Sequence, residues 1–286
     1  QRECCWPWIE VTNWLVNGQR EGVPPADRGL AYGDGVFETN ALRDGGWRFL
    51  DYHLERFHAG CGRLGFAPPD TDRLTDELHL ARDGARHGTG KIIVTRGAGR
   101  RGYGPPPEPR PMRVVGVSPT DARSAGAWSH GIRVRFFLTP MSENASLAGL
   151  KTLNRIVSVL ARAEWDSPDI KEGLMLTSQG NVACGTMSNF FVVQRDSLLT
   201  PALDTCGVHG IMRRVILEEA QSLGIPAREL PMSREYVAAA TELFVCNSLH
   251  GIGPITECEG RPREIGELTT RLMKALAARG VAECAA

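Results

Sequence analysis

The alternation of apolar and polar positions separates the chain into two halves with different habits. Trp14-Leu-Val leads to Asn17-Gly18, a turn signal between two short strands. Val36-Phe-Glu-Thr-Asn-Ala-Leu alternates as a half-buried strand does, and Asp44-Gly-Gly46 supplies a hairpin turn into Trp47-Arg-Phe-Leu50. Asp51 is placed to cap a helix carrying Leu54, Phe57 and Cys61 on one face. A second helix is expected over Asp70–Arg86, stopped by Gly88–Gly90. Strands follow at Lys91–Arg96 and Pro111–Val117, separated by a loop with Pro105, Pro106, Pro107, Pro109 and Pro111, too proline-rich for regular structure. Beyond Gly131 strands alternate with helices: strands at 132–138, 173–177, 189–194 and 242–246, and helices at 152–165 and 209–223. A C-terminal helix from about residue 263 shows Ile265, Leu268, Leu272 and Leu276 on one stripe. In the helix at 152–165, Leu153, Ile156, Val157, Leu160 and Ala163 would face inward.

This order predicts an α/β protein of two domains: a small α+β domain over 13–118, a linker of small and polar residues over 119–131, and a larger α/β domain over 132–286. A site is expected between them, where pockets commonly lie. The first twelve residues, QRECCWPWIEVT, lack the features of a secretory signal and read as an extension outside the fold.

Composition narrows the partners. The 33 basic and 33 acidic residues cancel, which leaves no electrostatic footprint for nucleic acid or an anionic membrane. No apolar run approaches the ~18–20 residues of a membrane span. Beyond the extension, Cys61, Cys184, Cys206, Cys246, Cys258 and Cys284 are scattered without metal-ligand spacing, so no metal site is expected and the thiols read as reduced, in a cytoplasmic protein.

Only four residues are lysines: Lys91, Lys151, Lys171 and Lys274. Lys151 follows an apolar, glycine-containing approach and precedes a helical pattern. An amine at the mouth of an apolar pocket loses hydration, which favours its neutral, nucleophilic form, and it can make a Schiff base where arginine cannot. On spacing alone, a solvent-facing lysine at a helix start is the better fit.

The segment LAGLKTLNRIVSVLARAEW (147–165) resembles the active-lysine segment of the fold-type IV pyridoxal-phosphate enzymes. Other segments match in the same order: DRGLAYGDGVFET (27–39), HLERF (53–57), TRGAGRRGYG (95–104), EGLMLTSQGNV (172–182), GTMSNFF (185–191), LLTPALDTCGVHGIMRR (198–214) and FVCNSLHGIGPI (244–255). KTLNR together with CNSLHGIGP is similar to the lyase branch, which converts 4-amino-4-deoxychorismate to 4-aminobenzoate and pyruvate, more than to the D-amino-acid and branched-chain transaminases on the same fold. The resemblance implies pyridoxal 5'-phosphate as cofactor, a small-molecule substrate, a homodimer, and Lys151 as Schiff-base lysine and general base.

It also implies the remaining site. Gly210, Ile211 and Met212, at the start of the helix after Gly207-Val-His, would give peptide N–H groups to the phosphate. Arg56 would be its guanidinium ligand, with Asn247 and Ser248 as further contacts, and Ser188 and Asn189 would line the ring face. Glu38 and Thr39 lie on a strand that forms one wall of the family's pocket, one inward and one outward. The substrate's two carboxylates ask for cations, for which Arg96, Arg100, Arg101 and Tyr103 are candidates; Arg101 and Tyr103 match the family's G-R-G-Y. One position departs from the pattern. Where the family has a glutamate for the pyridine nitrogen, this chain has Cys184. A thiol, with a reference pKa near ~8.5, stabilises a pyridinium far less than a carboxylate does. Three readings stay open: another acid substitutes, the enzyme works through a weaker electron sink, or the chemistry has been lost.

Overall fold

The computed structural model describes residues 13–120 and 128–285, so the N-terminal extension and most of the expected linker lie outside the described residues. The chain divides into two compact units, Gln1–Ala122 and Arg123–Ala286.

The N-terminal unit contains β1 (Asn13–Val16), α1 (Arg28–Tyr32), β2 (Gly35–Arg43), β3 (Gly46–Trp47), α2 (Leu50–Arg63), α3 (Thr71–Arg82), β4 (Gly88–Thr95) and β5 (Met112–Pro119). Its strands form an antiparallel sheet in the order β1-β5-β4-β2-β3. Leu42, Ile92, Val115 and Val117 on one sheet face pack with Leu54, Phe57 and Cys61 of α2 and Leu74 and Leu78 of α3. Each fully buried leucine contributes about 1.5–3 kcal/mol.

Two expectations are corrected here. Gly88–Gly90 opens β4 rather than ending a helix, because a Cβ on Gly90 would lie 2.6 Å from the Trp47 ring, so glycine admits the ring to the sheet. The preceding helix stops at Arg82, where Asp83 takes a left-handed φ of 47°. Asp51 is not the cap of α2. Phe49 occupies that position, and Asp51 sits in the first turn, where a carboxylate complements the helix dipole.

The C-terminal unit contains β6 (Ile132–Phe136), α4 (Ile156–Arg162), β7 (Ile170–Leu176), β8 (Val182–Gly185), β9 (Asn189–Gln194), β10 (Ser197–Thr200), α5 (Ile211–Ser222), β11 (Ala227–Glu229), α6 (Arg234–Ala238), β12 (Glu242–Asn247), β13 (Gly251–Cys258), β14 (Arg261–Pro262) and α7 (Glu267–Ala278). The sheet runs β11-β10-β9-β12-β13-β6-β7-β8, with β14 on β13. It is mixed: β6 is parallel to both β7 and β13, whereas β7 with β8, and β9 with β12, run antiparallel. Phe190, Val192, Leu243 and Val245 fill one face, and Phe191 stacks on Phe244 at 4.9 Å on the other.

The helix expected at 152–165 is shorter and turned differently. Ala161 packs with Phe137, Trp165 and Met175, whereas Ile156 and Leu160 are 66% and 54% exposed. The sequence Ile-Val-Ser-Val-Leu-Ala is apolar nearly all round, so its periodicity could not phase the helix.

Candidate functional site

Lys151 ends an irregular segment that the C-terminal unit holds along its length. Asn144 N donates to Thr205 O at 2.6 Å, Gly149 N to Gly207 O at 3.1 Å, and His209 N to Gly149 O at 3.0 Å. The approach to the lysine is thereby bonded onto residues 205–209, which lead straight into α5. Beyond the half-buried Lys151, Arg155 reaches back to the chain beside it, with Nε donating to Thr152 O at 3.0 Å and Nη2 to Thr152 Oγ1 at 3.0 Å. A recess of about 90 Å³ lies alongside, lined by Met141, Asn144, Thr152, Arg155, Cys206 and Gly207 among others.

The start of α5 offers peptide donors of the kind that anions bind. Gly210 caps it with extended backbone, and no side chain accepts from the first turn. The leading N–H groups of a helix have no intrahelical acceptor, and the dipole adds positive potential. Ile211 and Met212 bury their side chains, so their peptide groups are what they can offer to a ligand. Asn189, at the head of β9, donates from Nδ2 to Val208 O at 2.9 Å, which ties the sheet to this turn. Cys246 is the register partner of Asn189, so β12 delivers Asn247 and Ser248 to the same end of the sheet. Asn247 Oδ1 accepts from Leu249 N and His250 N at 3.0 and 2.9 Å and closes the turn into β13.

Cys184 lies opposite Met175, buried with Ala183 and Cys206. Burial pushes its thiol up to about 12, the neighbouring Cys206 and Glu172 push the same way, and Arg155 opposes them. The thiol is therefore neutral at physiological pH and brings no negative charge.

Glu172 is the carboxylate whose charge reaches Cys184, and it is wholly buried. Its Oε1 accepts from Gly173 N, Thr186 N and Thr186 Oγ1 at 2.9, 3.1 and 2.7 Å. Its Oε2 accepts from Met187 N and Ser188 Oγ at 3.2 and 2.8 Å. Five donors consume its oxygens, so Glu172 holds the turn between β8 and β9 and does not substitute for a carboxylate at position 184. The Ser188 hydroxyl, expected against the ring face, is directed onto Glu172 instead. Both Glu172 and Arg155 were missed from sequence; the signal for Glu172 was a charge inside the apolar strand Glu-Gly-Leu-Met-Leu.

Glu38, Thr39, Arg56, Arg101 and Tyr103 belong to the N-terminal unit. Glu38 is 1% exposed and faces α2, while Thr39 takes the opposite sheet face with Phe37 and Lys91. Arg56 Nε and Nη2 donate to the two Glu38 oxygens at 2.8 and 2.5 Å, and His53 Nδ1 lies 2.6 Å from Oε2. Burial alone would raise the Glu38 pKa, but the Arg56 charge and the hydrogen bonds from His53 and Arg56 outweigh it and hold the carboxyl at about 2. The expectation that Glu38 contacts substrate is thus corrected: its oxygens are spent on fixing the Arg56 guanidinium plane.

Arg96 is corrected likewise. It is buried, donating from Nε to Asp34 at 2.8 Å and from Nη1 and Nη2 to Gly65 O and Leu64 O, and it holds its loop rather than offering a cation. Arg28 joins it on Asp34 and grips the carbonyls of Gly102, Tyr103 and Gly104. That anchorage presents Arg100, Arg101 and the 85%-exposed Tyr103 outward.

Residues 35–258 match the family model described as amino-transferase class IV. The aminodeoxychorismate lyase of Vibrio harveyi is 32% identical over 263 residues, 91% of this chain and 97% of that protein. The crystal structure of 4-amino-4-deoxychorismate lyase from Pseudomonas aeruginosa aligns with a TM-score of 0.87 at 42% identity, covering 93% of this chain and 98% of that one. A branched-chain amino acid aminotransferase from T.th., solved with pyridoxamine 5'-phosphate, aligns at 0.83 with 22% identity over 96% and 95% of the two chains, a likeness of fold alone.

Proposed function

The chain belongs to the class IV aminotransferase family, and from that premise we propose that it is a pyridoxal 5'-phosphate-dependent lyase converting 4-amino-4-deoxychorismate to 4-aminobenzoate and pyruvate. The observation that carries the reading is likeness over more than nine-tenths of the chain to proteins named for this reaction. The donor set fits the cofactor: an uncapped helix N-terminus for a phosphate, with a lysine bonded into the adjoining segment.

In this reading the peptide groups at Gly210, Ile211 and Met212, with Asn247 and Ser248, bind the phosphate, and Arg56 adds its fork. Cys184 and Asn189 border the ring, and Ser188 supports the turn beside them through Glu172. When bound, the cofactor supplies an aldehyde that captures amines and a ring that accepts electrons from the neighbouring carbon. Lys151 would hold the cofactor through its aldehyde, and its free amine would take the proton from the substrate carbon bearing the nitrogen and protonate the departing enolpyruvyl group toward pyruvate. Thr39, Arg101 and Tyr103 serve the substrate and its two carboxylates. The neutral Cys184 thiol gives a weak electron sink. An elimination that ends in an aromatic ring tolerates this, whereas a transaminase, which must hold and reprotonate a carbanion, suffers more.

The test is product analysis of the cofactor-loaded protein: stoichiometric pyruvate and 4-aminobenzoate from 4-amino-4-deoxychorismate, both lost in Lys151→Ala. Amino transfer to a 2-oxo acid without pyruvate release would overturn the lyase reading.

The protein acts as a homodimer in this reading, because α4 leaves Ile156, Val159 and Leu160 exposed on a seven-residue helix, with Leu138 also bare. Light scattering decides it: Val159→Glu converts a dimer to a monomer, and a monomeric wild type ends the idea. A cytoplasmic setting agrees with the six described cysteines, which carry thiols rather than disulfides. No helix among the described residues is long and apolar enough to cross a membrane.

A further inference from the structure

Arg155 grips the chain on both sides of Lys151. Its Nη2 reaches Leu150 O at 3.5 Å and Thr152 Oγ1 at 3.0 Å, and its Nε donates to Thr152 O at 3.0 Å. Thr152 is itself buried, so the fork closes on a fixed point. Lys151 lacks the support a helix would give, since α4 begins only at Ile156 and no i to i−4 ladder passes through residues 150–152. Arg155 stands at the cap position of α4 and makes no side-chain cap bond there, so its donors point back toward the lysine instead of along the helix. A planar guanidinium can hold two acceptors at a set angle, which an ammonium cannot.

We propose that Arg155 is a positioning residue for Lys151, setting the direction of Nζ for attack on the cofactor aldehyde. The proposal rests on the assignment of Lys151 as the imine-forming lysine, and the experiment separates the two. Full-length apoprotein, wild type, Arg155→Gln and Arg155→Lys, is mixed with pyridoxal 5'-phosphate, trapped with borohydride at timed intervals and mapped by peptide mass. Affinity for pyridoxine 5'-phosphate, which has an alcohol in place of the aldehyde, reads non-covalent binding alone.

A displacement of about 1 Å at a reacting group costs on the order of 100-fold in rate. Arg155→Gln is therefore expected to slow labelling of Lys151 by ~10-fold or more. Pyridoxine 5'-phosphate affinity stays at its wild-type value, and Arg155→Lys recovers part of the rate. Labelling of Arg155→Gln at the wild-type rate overturns the proposal. So does a parallel fall of labelling, pyridoxine 5'-phosphate affinity and Tm in both variants, which would mark a merely structural role. A wild type that takes no label at Lys151 overturns the lysine assignment and this proposal with it.

Discussion

Replacing Glu38 by glutamine tests the central ion cluster of the N-terminal unit at nearly constant shape. The carboxyl is held at about 2 against an ordinary 4.5. At about 1.4 kcal/mol per pKa unit, that depression corresponds to on the order of 3 kcal/mol of stability. The sign follows from the direction: a depressed carboxylate contributes fully above its unfolded value, and the contribution is lost as pH falls through its folded value. At pH 3, between the folded and the unfolded value, roughly half of it remains. The same interaction seen from its cation is the cost of leaving the Arg56 guanidinium, 13% exposed, without the Glu38 charge, about 3–5 kcal/mol when the partner is fully buried, the lower end applying here. Urea unfolding followed by fluorescence at pH 7 and pH 3 gives the two gaps between wild type and Glu38→Gln. Subtracting the variant removes every other carboxylate that titrates in the same window. A gap of about 3 kcal/mol that shrinks by roughly half at pH 3 supports the reasoning. A gap identical at the two pH values refutes it, because the difference would then owe nothing to an ionised carboxylate.

Three further changes probe the C-terminal unit. Glu172→Gln turns one acceptor oxygen into a donor facing Met187 N or Ser188 Oγ, and should cost about 2–3 kcal/mol in unfolding and weaken cofactor uptake; unchanged Tm and uptake would remove Glu172 from the turn's support. Gly210→Ala places a Cβ 2.0 Å from Asn189 Oδ1, so the amide must move; cofactor titration should show affinity falling by ~10-fold or more while Tm shifts little, and wild-type affinity would sever the link between Asn189 and the anion site. Cys184→Glu buries a second carboxylate within reach of Glu172, so apoprotein Tm should drop and pyridoxal 5'-phosphate should raise it further than in wild type; equal ligand-induced shifts would show that no ring nitrogen meets position 184.

How much of this was legible in the chain depended on whether a pattern carried its own phase. β2, β4, β9 and β12 announced themselves by alternation or by apolar runs of strand length, and they lie close to where the pattern put them. α4 did not, because residues apolar on all sides leave the buried face to be chosen by Phe137, Trp165 and Met175, which arrive from elsewhere in the chain. Glu172 was visible as a charge in an apolar strand, but four of its five donors sit fourteen to sixteen residues away in a turn whose geometry no local signal specified.

Glu38 is the instructive case. Alternation showed that Glu38 and Thr39 take opposite faces and could not say which was inward. The missing information was nevertheless in the sequence, in His53 and Arg56. Three residues apart, they share one face of α2, the face that also carries Phe57 into the core. Two such donors turned toward a sheet require an acceptor on it, since a buried cation without a counter-charge is far costlier than a buried pair. Val36, Asn40 and Leu42 share the inward face of β2, and Glu38 is its acid, so the pairing 15 and 18 residues apart follows once helix and strand are read together rather than one at a time.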